Sequence, residues 1–277
     1  MGRRSVKECP MPIEWLLYPL LGIVAGLLAG LLGVGGGLVL VAALALLLPS
    51  QGVAPDTAMH AALATSLASV VVTALASAYA HHRRGSVLWP SVAWLLPGLL
   101  LGGWLGSFIA KGIDGASLRW FVVGYCVLAA LQLLLEWPRR QAAGAESVAA
   151  APQGVGMSLA GVGIGIVSAL VGIGGGSMTV PLLVWRGVPP VRAVGSSSAC
   201  GVAIGLSAAA GYASGGAVAS MPAGSIGYVF LPAAIGIAIT SVAMAPVGAA
   251  LAHRISPLAL KRIFAGFLLA MAVVLAA

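Results

Sequence analysis

The sequence predicts an all-α, polytopic membrane protein built from two homologous, inverted repeats of four to five helices, each with a glycine-broken helix. Three observations predict it. Hydrophobic residues make up 60% of the 277 residues and charged residues only 7%, against roughly 25% charged in soluble domains. Two glycine clusters, Gly33-Val34-Gly35-Gly36-Gly37 and Gly172-Ile173-Gly174-Gly175-Gly176, each interrupt a long apolar run. The succession of apolar segments after the first cluster then recurs after the second.

Residues 1–14 read as a polar tail with Arg3, Arg4 and Lys7, residues 15–137 as the first transmembrane repeat, 138–153 as a linker and 154–277 as the second repeat. The apolar run from Ile13 outlasts a signal-peptide core and no small-residue cleavage site stands out, so an uncleaved first span is expected. The segment from Trp15 to Leu48 would be about 51 Å long as one straight helix, well beyond a hydrocarbon core of about 30 Å. Gly costs close to 1 kcal/mol per residue in a helix interior, so clustered glycines place a break in that excess length. Further spans follow over Thr57 to Ala80, Val87 to Ala110 and Leu118 to Leu135. In the second half, Gly154 to Trp185 repeats the broken segment, and Arg192 to Ala213, Ile226 to Ala252 and Pro257 onward repeat the three spans. Leu118-Arg119 through Gly124 matches Leu260-Lys261 through Gly266. Gly22, Gly26 and Gly30, and again Gly98, Gly102 and Gly106, form small-residue stripes for close helix contact.

Net charge is +8, carried in the connections, and no basic run exceeds two adjacent Arg, which excludes nucleic acid as a partner. An eight-span layout divides Lys and Arg evenly between the two sides, contrary to the cytoplasmic excess expected of such proteins. Inverting the halves around an extra crossing gathers the tail, Arg83/Arg84, Arg186/Arg192 and Arg254/Lys261/Arg262 on one face, ten against two, with Arg139 and Arg140 unassigned. A hairpin at both glycine breaks gives nine against five.

A helix restarting at Leu38 or Ser177 presents unpaired N–H groups and the positive end of its dipole. Glycine lets a small anion approach that backbone. The candidate binding residues are therefore Gly35, Gly36, Gly37 and Leu38 with Gly174, Gly175, Gly176 and Ser177. Close helix packing explains one such cluster well; matched clusters inside two overlong segments favour a site. Thr65 and Ser66 in the second span, and Ser196 and Ser197 in its counterpart, are candidate oxyanion donors, unless they bond their own helix carbonyls. His60, about a turn before Thr65, is a candidate proton or ligand contact, or else interfacial. His81, His82, Arg83 and Arg84 read as a cytoplasmic loop, Arg186, Arg192 and Arg254 as topological charges, and Trp15, Trp89, Trp94, Trp120, Trp137 and Trp185 as interfacial anchors.

The chain has no Walker motif, so it carries no ATPase engine and implies no ATPase subunit. All six carboxylates (Glu8, Glu14, Asp56, Asp114, Glu136, Glu146) fall in tails, connections or span edges, which suits an anion and disfavours a midplane carboxylate relay. Cys9, Cys126 and Cys200 lack metal-like spacing and read as apolar fillers. No catalytic set, metal site or cofactor is indicated.

The duplicated layout, the run Gly30-Leu31-Leu32-Gly33-Val34-Gly35-Gly36-Gly37 with its partner Gly172 to Gly176, and Ala64-Thr65-Ser66-Leu67 resemble the sulfite exporter TauE/SafE family, also called the 4-toluene sulfonate uptake permease family. The resemblance covers nearly the whole chain and implies a multi-pass secondary transporter of the bacterial inner membrane moving sulfite, sulfonates or related organic acids. Gly195-Ser196-Ser197-Ser198 departs from the Gly-Thr-Ser expected there. The expected partners are a small anionic substrate and the lipid bilayer, with homo-oligomerisation left open. Competing readings are an anion channel and, more distantly, an intramembrane serine hydrolase using Ser197 with His253.

Overall fold

The computed structural model describes residues 14–33, 36–135, 151–214, 216, 218–252, 254–255 and 257–276. They form α1 (Glu14–Leu32), α2 (Gly37–Leu47), a short 3-10 turn (Pro49–Gln51), α3 (Pro55–His82), α4 (Trp89–Lys111) and α5 (Gly115–Leu134). Next come α6 (Val155–Val171), α7 (Gly176–Trp185), α8 (Pro190–Ala213), a hairpin of β1 (Ser225–Ile226) and β2 (Val229–Phe230), then α9 (Leu231–Ala252) and α10 (Pro257–Ala276). α3, α4, α8, α9 and the stretch Gly115–Gln132 of α5 are long and apolar enough to cross a bilayer. The chain is a multi-pass α-helical membrane protein.

Local sequence sets the helix starts. Pro55 and Pro190 open α3 and α8 at the first helical position, where proline's missing N–H has no bond to lose. Asp114 caps α5, its carboxylate accepting the Ser117 N–H at 2.8 Å. The span expected to begin at Ile226 instead begins at Leu231. Gly227, at φ 57°, turns the chain between two short antiparallel strands, and Pro232 stands beside the helix start.

Both glycine stripes face helices of the other half. A Cβ on Gly22, Gly26 or Gly30 would overlap the backbone of α9 near Ile237, Ser241 and Ala245 in turn. One on Gly98, Gly102 or Gly106 would overlap α6 near Ser158, Val162 and Ile166. Residue numbers rise together along both contacts, so α1 runs parallel to α9 and α4 parallel to α6. α3 and α8 are antiparallel, Gly201 lying against Ala74 and Gly205 against Leu67 and Val71, and they are the most enclosed of the long helices. α5 and α10 are antiparallel too, the Arg119 guanidinium reaching the Leu275 carbonyl.

Two ends of the bundle can be told apart. At the first, the Tyr18 hydroxyl of α1 donates to Gln51 at 2.5 Å, and the Lys111 ammonium closing α4 donates to the Gly211 and Ser214 carbonyls at 2.8 and 3.0 Å. At the second, His81 near the end of α3 meets the Gly30 carbonyl near the end of α1, and the Leu88 N–H before α4 meets Ser196 near the start of α8. Both free cysteines described, Cys126 and Cys200, are fully buried within the packing.

Candidate functional site at the two helix breaks

The broken segments double back at their glycines. Gly33 and Gly36 both have φ of 68°, and Gly172 and Gly175 have 77° and 75°. Only glycine adopts that left-handed conformation without steric cost. α1 runs the length of α3, from the Gln51 end to the His81 end, before the chain returns. Gly36 then lies against the backbone of Ala25, well back along α1. Gly175 lies equally far back along α6, a Cβ there falling 3.5 Å from Ile164 Cγ2 and 3.4 Å from Ser168 Oγ. Each segment is thus a helix followed by a returning half-helix.

The half-helices begin inside the bundle, opposite the middles of α3 and α8. The Gly37 carbonyl accepts the Ser66 hydroxyl at 2.9 Å, and the Gly174 oxygen lies 2.9 Å from a Cβ placed on Gly201. The two breaks also touch: a Cβ on Gly37 would overlap the Gly172 carbonyl. As at any helix start, the first N–H groups of α2 and α7 lack intrahelical partners. Here they are enclosed, Gly36, Gly37, Leu38, Gly174, Gly175, Gly176 and Ser177 all being buried. Gly35 lies outside the described residues.

The four candidate hydroxyls all bond backbone of the opposite half. Ser66 donates to the Gly172 carbonyl at 3.0 Å as well as to Gly37, and Ser197 donates to the Gly33 carbonyl at 3.0 Å. Thr65 accepts the Phe230 N–H at 3.0 Å and Ser196 the Leu88 N–H at 2.8 Å, immediately before α9 and α4. Ser196 also returns a bond to the Arg192 carbonyl of its own helix. A glycine that leaves the helix frees a carbonyl, and a buried carbonyl needs a donor. Ser66 and Ser197 therefore hold the breaks, while Thr65 and Ser196 fix the chain just before α9 and α4.

Sequence reasoning passed over the rest of this row. Thr65, Ser69, Thr73, Ser77 and His81 recur every fourth residue on α3 and are buried. Thr73 meets Ser241 at 2.7 Å and Ser77 meets Ser198 at 3.0 Å, each crossing to the other half. That spacing was the available signal. His81 was expected in a loop, but α3 runs through it, and its buried Nε2 lies 3.1 Å from the Gly30 carbonyl. The Tyr212 hydroxyl makes the corresponding bond to Ala169 on α6, also at 3.1 Å. His60 is buried near the start of α3. Its Nε2 lies 3.1 and 2.9 Å from the Ala110 and Ile113 carbonyls, capping α4, and its ring packs on Tyr228.

Among the described residues, no group of three His, Cys, Asp or Glu could hold a metal. A cleft of about 660 Å³ at the first end, between α2, α3, α5 and α10, is lined by Asp56, Asp114, Arg119, Trp120 and apolar residues and includes none of the break residues. The Ser117 N–H and hydroxyl hold the Asp114 carboxyl below its ordinary value.

The family model for sulfite exporter TauE/SafE matches residues 18–275. A "probable membrane transporter protein" of Haemophilus influenzae is 37% identical over 93% of this chain and 96% of its own length. One from Xylella fastidiosa is 36% identical over 69% of this chain and 71% of its own. Another, from Methanocaldococcus jannaschii, is 27% identical over 87% of this chain and 89% of its own. No solved structure matches. With its broken helices and a family match spanning nearly every described residue, the chain belongs to the sulfite exporter TauE/SafE family of membrane transporters.

Proposed function

We propose that this protein is a secondary transporter of small anions in the bacterial inner membrane, carrying sulfite, an organosulfonate or a related organic acid. The substrate binds where α2 and α7 begin. The observation that supports this best is the contact of the two breaks deep in the bundle, the start of α2 at Gly37 lying against Gly172, where α6 ends just before α7 begins, with the first residues of both half-helices buried. Gly35 to Leu38 and Gly174 to Ser177 supply backbone N–H groups. Ser66 and Ser197 fix the breaks around the ligand, Thr65 and Ser196 hold the chain before α9 and α4 beside them, and His60 holds the end of α4 and is the candidate proton carrier. The name of the matching family points to sulfur oxyanions.

The two repeats, 15–137 and 154–277 with 138–153 between them, are inverted in this reading. The supporting observation is the pairing of α1 with α9 and α4 with α6, each parallel, alongside antiparallel α3–α8 and α5–α10. Arg83, Arg84, Arg186, Arg192 and Arg254 then share the second end, which faces the cytoplasm under the nine-to-five division of charge. Alternating access would rock one set of helices against the other around the fixed glycines.

The test is thermal stabilisation of purified protein by sulfite, sulfate, thiosulfate, sulfonates and carboxylates. A true ligand at 100 times its dissociation constant stabilises by about 2.7 kcal/mol. Gly175→Leu, whose Cβ meets the far end of the Ile204 side chain rather than backbone, should insert into the membrane yet lose the shift. A panel in which no anion shifts the wild type would overturn the reading. Flux that saturates and responds to a counter-gradient separates a carrier from a channel.

A further inference from the structure

We infer that the two breaks are chemically unequal and that the anion is held at one of them, the amino end of α7, by hydroxyl and backbone donors without a cation. This rests on the anion-transport reading above. The breaks align residue by residue, Gly33 with Gly172, Gly36 with Gly175 and Gly37 with Gly176. Carrying that alignment outward pairs Ser168 with Ala29, Ser177 with Leu38 and Thr179 with Leu40. On the flanking helices, the match of Gly124 with Gly266 pairs Tyr125 with Phe267. At each position the α7 side has a hydroxyl where the α2 side has none.

Those hydroxyls converge on the start of α7. Ser168 Oγ is fully buried, lies 3.4 Å from where a Gly175 Cβ would sit, and has no hydrogen-bond partner. Thr179 Oγ1, one turn into the helix, is likewise fully buried without a partner. Ser177 Oγ, on the first turn of α7, meets the Tyr125 hydroxyl at 2.5 Å. A buried donor left unmatched beside an unmatched helix start is a cost with no structural return. An oxyanion accepting from Ser168, Ser177 and the N–H groups of Gly176 and Ser177 removes both deficits. The α2 start lies against Ala25, and the hydroxyl beside it, Ser66, is already engaged by the Gly37 and Gly172 carbonyls.

The donor set also suggests the ligand's charge. A helix amino end supplies roughly half a positive charge, and no Lys or Arg is among the residues named here. Such a site neutralises a singly charged oxyanion far better than a dianion, which would remain largely uncompensated in a buried setting. In this conformation Ile204 Cδ1 stands beside Gly175, so that side chain must withdraw for the anion to enter.

The experiment is isothermal titration of the full chain in detergent with methanesulfonate, sulfite and sulfate, with melting curves of each variant without ligand. Wild type should bind one methanesulfonate per chain and sulfate more weakly. Ser168→Ala should weaken methanesulfonate binding about tenfold, as expected for one lost hydrogen bond to a charged group, without lowering the ligand-free melting temperature. Tyr125→Phe should weaken binding similarly, while Ala29→Ser and Phe267→Tyr should leave it within about twofold. Ligand-tight Ser168→Ala, two anions per chain, or equal loss from Ala29→Ser and Phe267→Tyr would overturn the inference while leaving anion transport standing. Sulfate binding as tightly as methanesulfonate would overturn the charge preference. A wild type that binds none of the three anions would remove the anion reading and this inference together.

Discussion

Replacing Ser66 by Ala tests whether the hydroxyls of α3 and α8 hold the breaks. Ser66 Oγ is fully buried and donates to two carbonyls, Gly37 on α2 and Gly172 on the opposite half. The Gly37 carbonyl keeps a helical partner further along α2, so the loss falls mainly on Gly172. Its carbonyl projects from a left-handed glycine between α6 and α7. A buried acceptor stripped of its donor costs about 1–3 kcal/mol. For a chain of this size each kcal/mol moves the melting temperature by roughly 2–4 °C, so Ser66→Ala should melt about 2–12 °C lower. Ser69→Ala is the control: Ser69 is equally buried, but its hydroxyl only returns to the Thr65 carbonyl of its own helix, and such back-bonding adds little. It should melt within about 1 °C of wild type. The assay is tryptophan-fluorescence melting in detergent. If the two variants melt together, Ser66 does not bridge the breaks.

Other outcomes follow from the same geometry. Gly37→Ala would drive a methyl into the Gly172 carbonyl and should fail to fold or lose several kcal/mol, whereas Gly124→Ala and Gly266→Ala, where a Cβ meets nothing, should raise the melting temperature by up to about 1 kcal/mol equivalent. In sealed vesicles, Arg84→Cys and Arg186→Cys should react with an impermeant maleimide from one side, and Gln51→Cys and Gly112→Cys from the other; labelling of all four from one side would refute the inverted arrangement. Asp114 stabilises the start of α5 through a depressed carboxyl pKa. That contribution is present above the ordinary value of 3.8 and disappears as pH falls through the lower folded value. The melting difference between wild type and Asp114→Ala should therefore be constant from neutral pH to about 5 and shrink below about 4.

The sequence made the helices, the breaks and the glycine stripes legible because each is a local event. Three glycines in a row inside a run of Leu and Val have few other meanings, and a four-residue glycine period marks one helix face. Partnership is not local. Nothing at Ser66 or Ser197 indicates that the carbonyls they serve, Gly172 and Gly33, lie across the molecule. His81 beside His82, Arg83 and Arg84 has the composition of a connection, and only the packing of α1 against the end of α3 makes it an interior residue. The residues from 226 to 230 are apolar enough to read as the start of a span, but Gly227, at positive φ, turns them into a hairpin.

The pairing of α1 with α9 bears on how the chain is made. The face of α1 carrying Gly22, Gly26 and Gly30 is complementary to residues that leave the ribosome nearly the whole chain later. At typical elongation of about 5–20 residues per second, α1 waits roughly 10–40 s for that neighbour. α4 waits a much shorter time for α6. A newly inserted first half is therefore an unfinished object with its notched surface turned toward lipid or an insertase, and synthesis of the second half completes both at once.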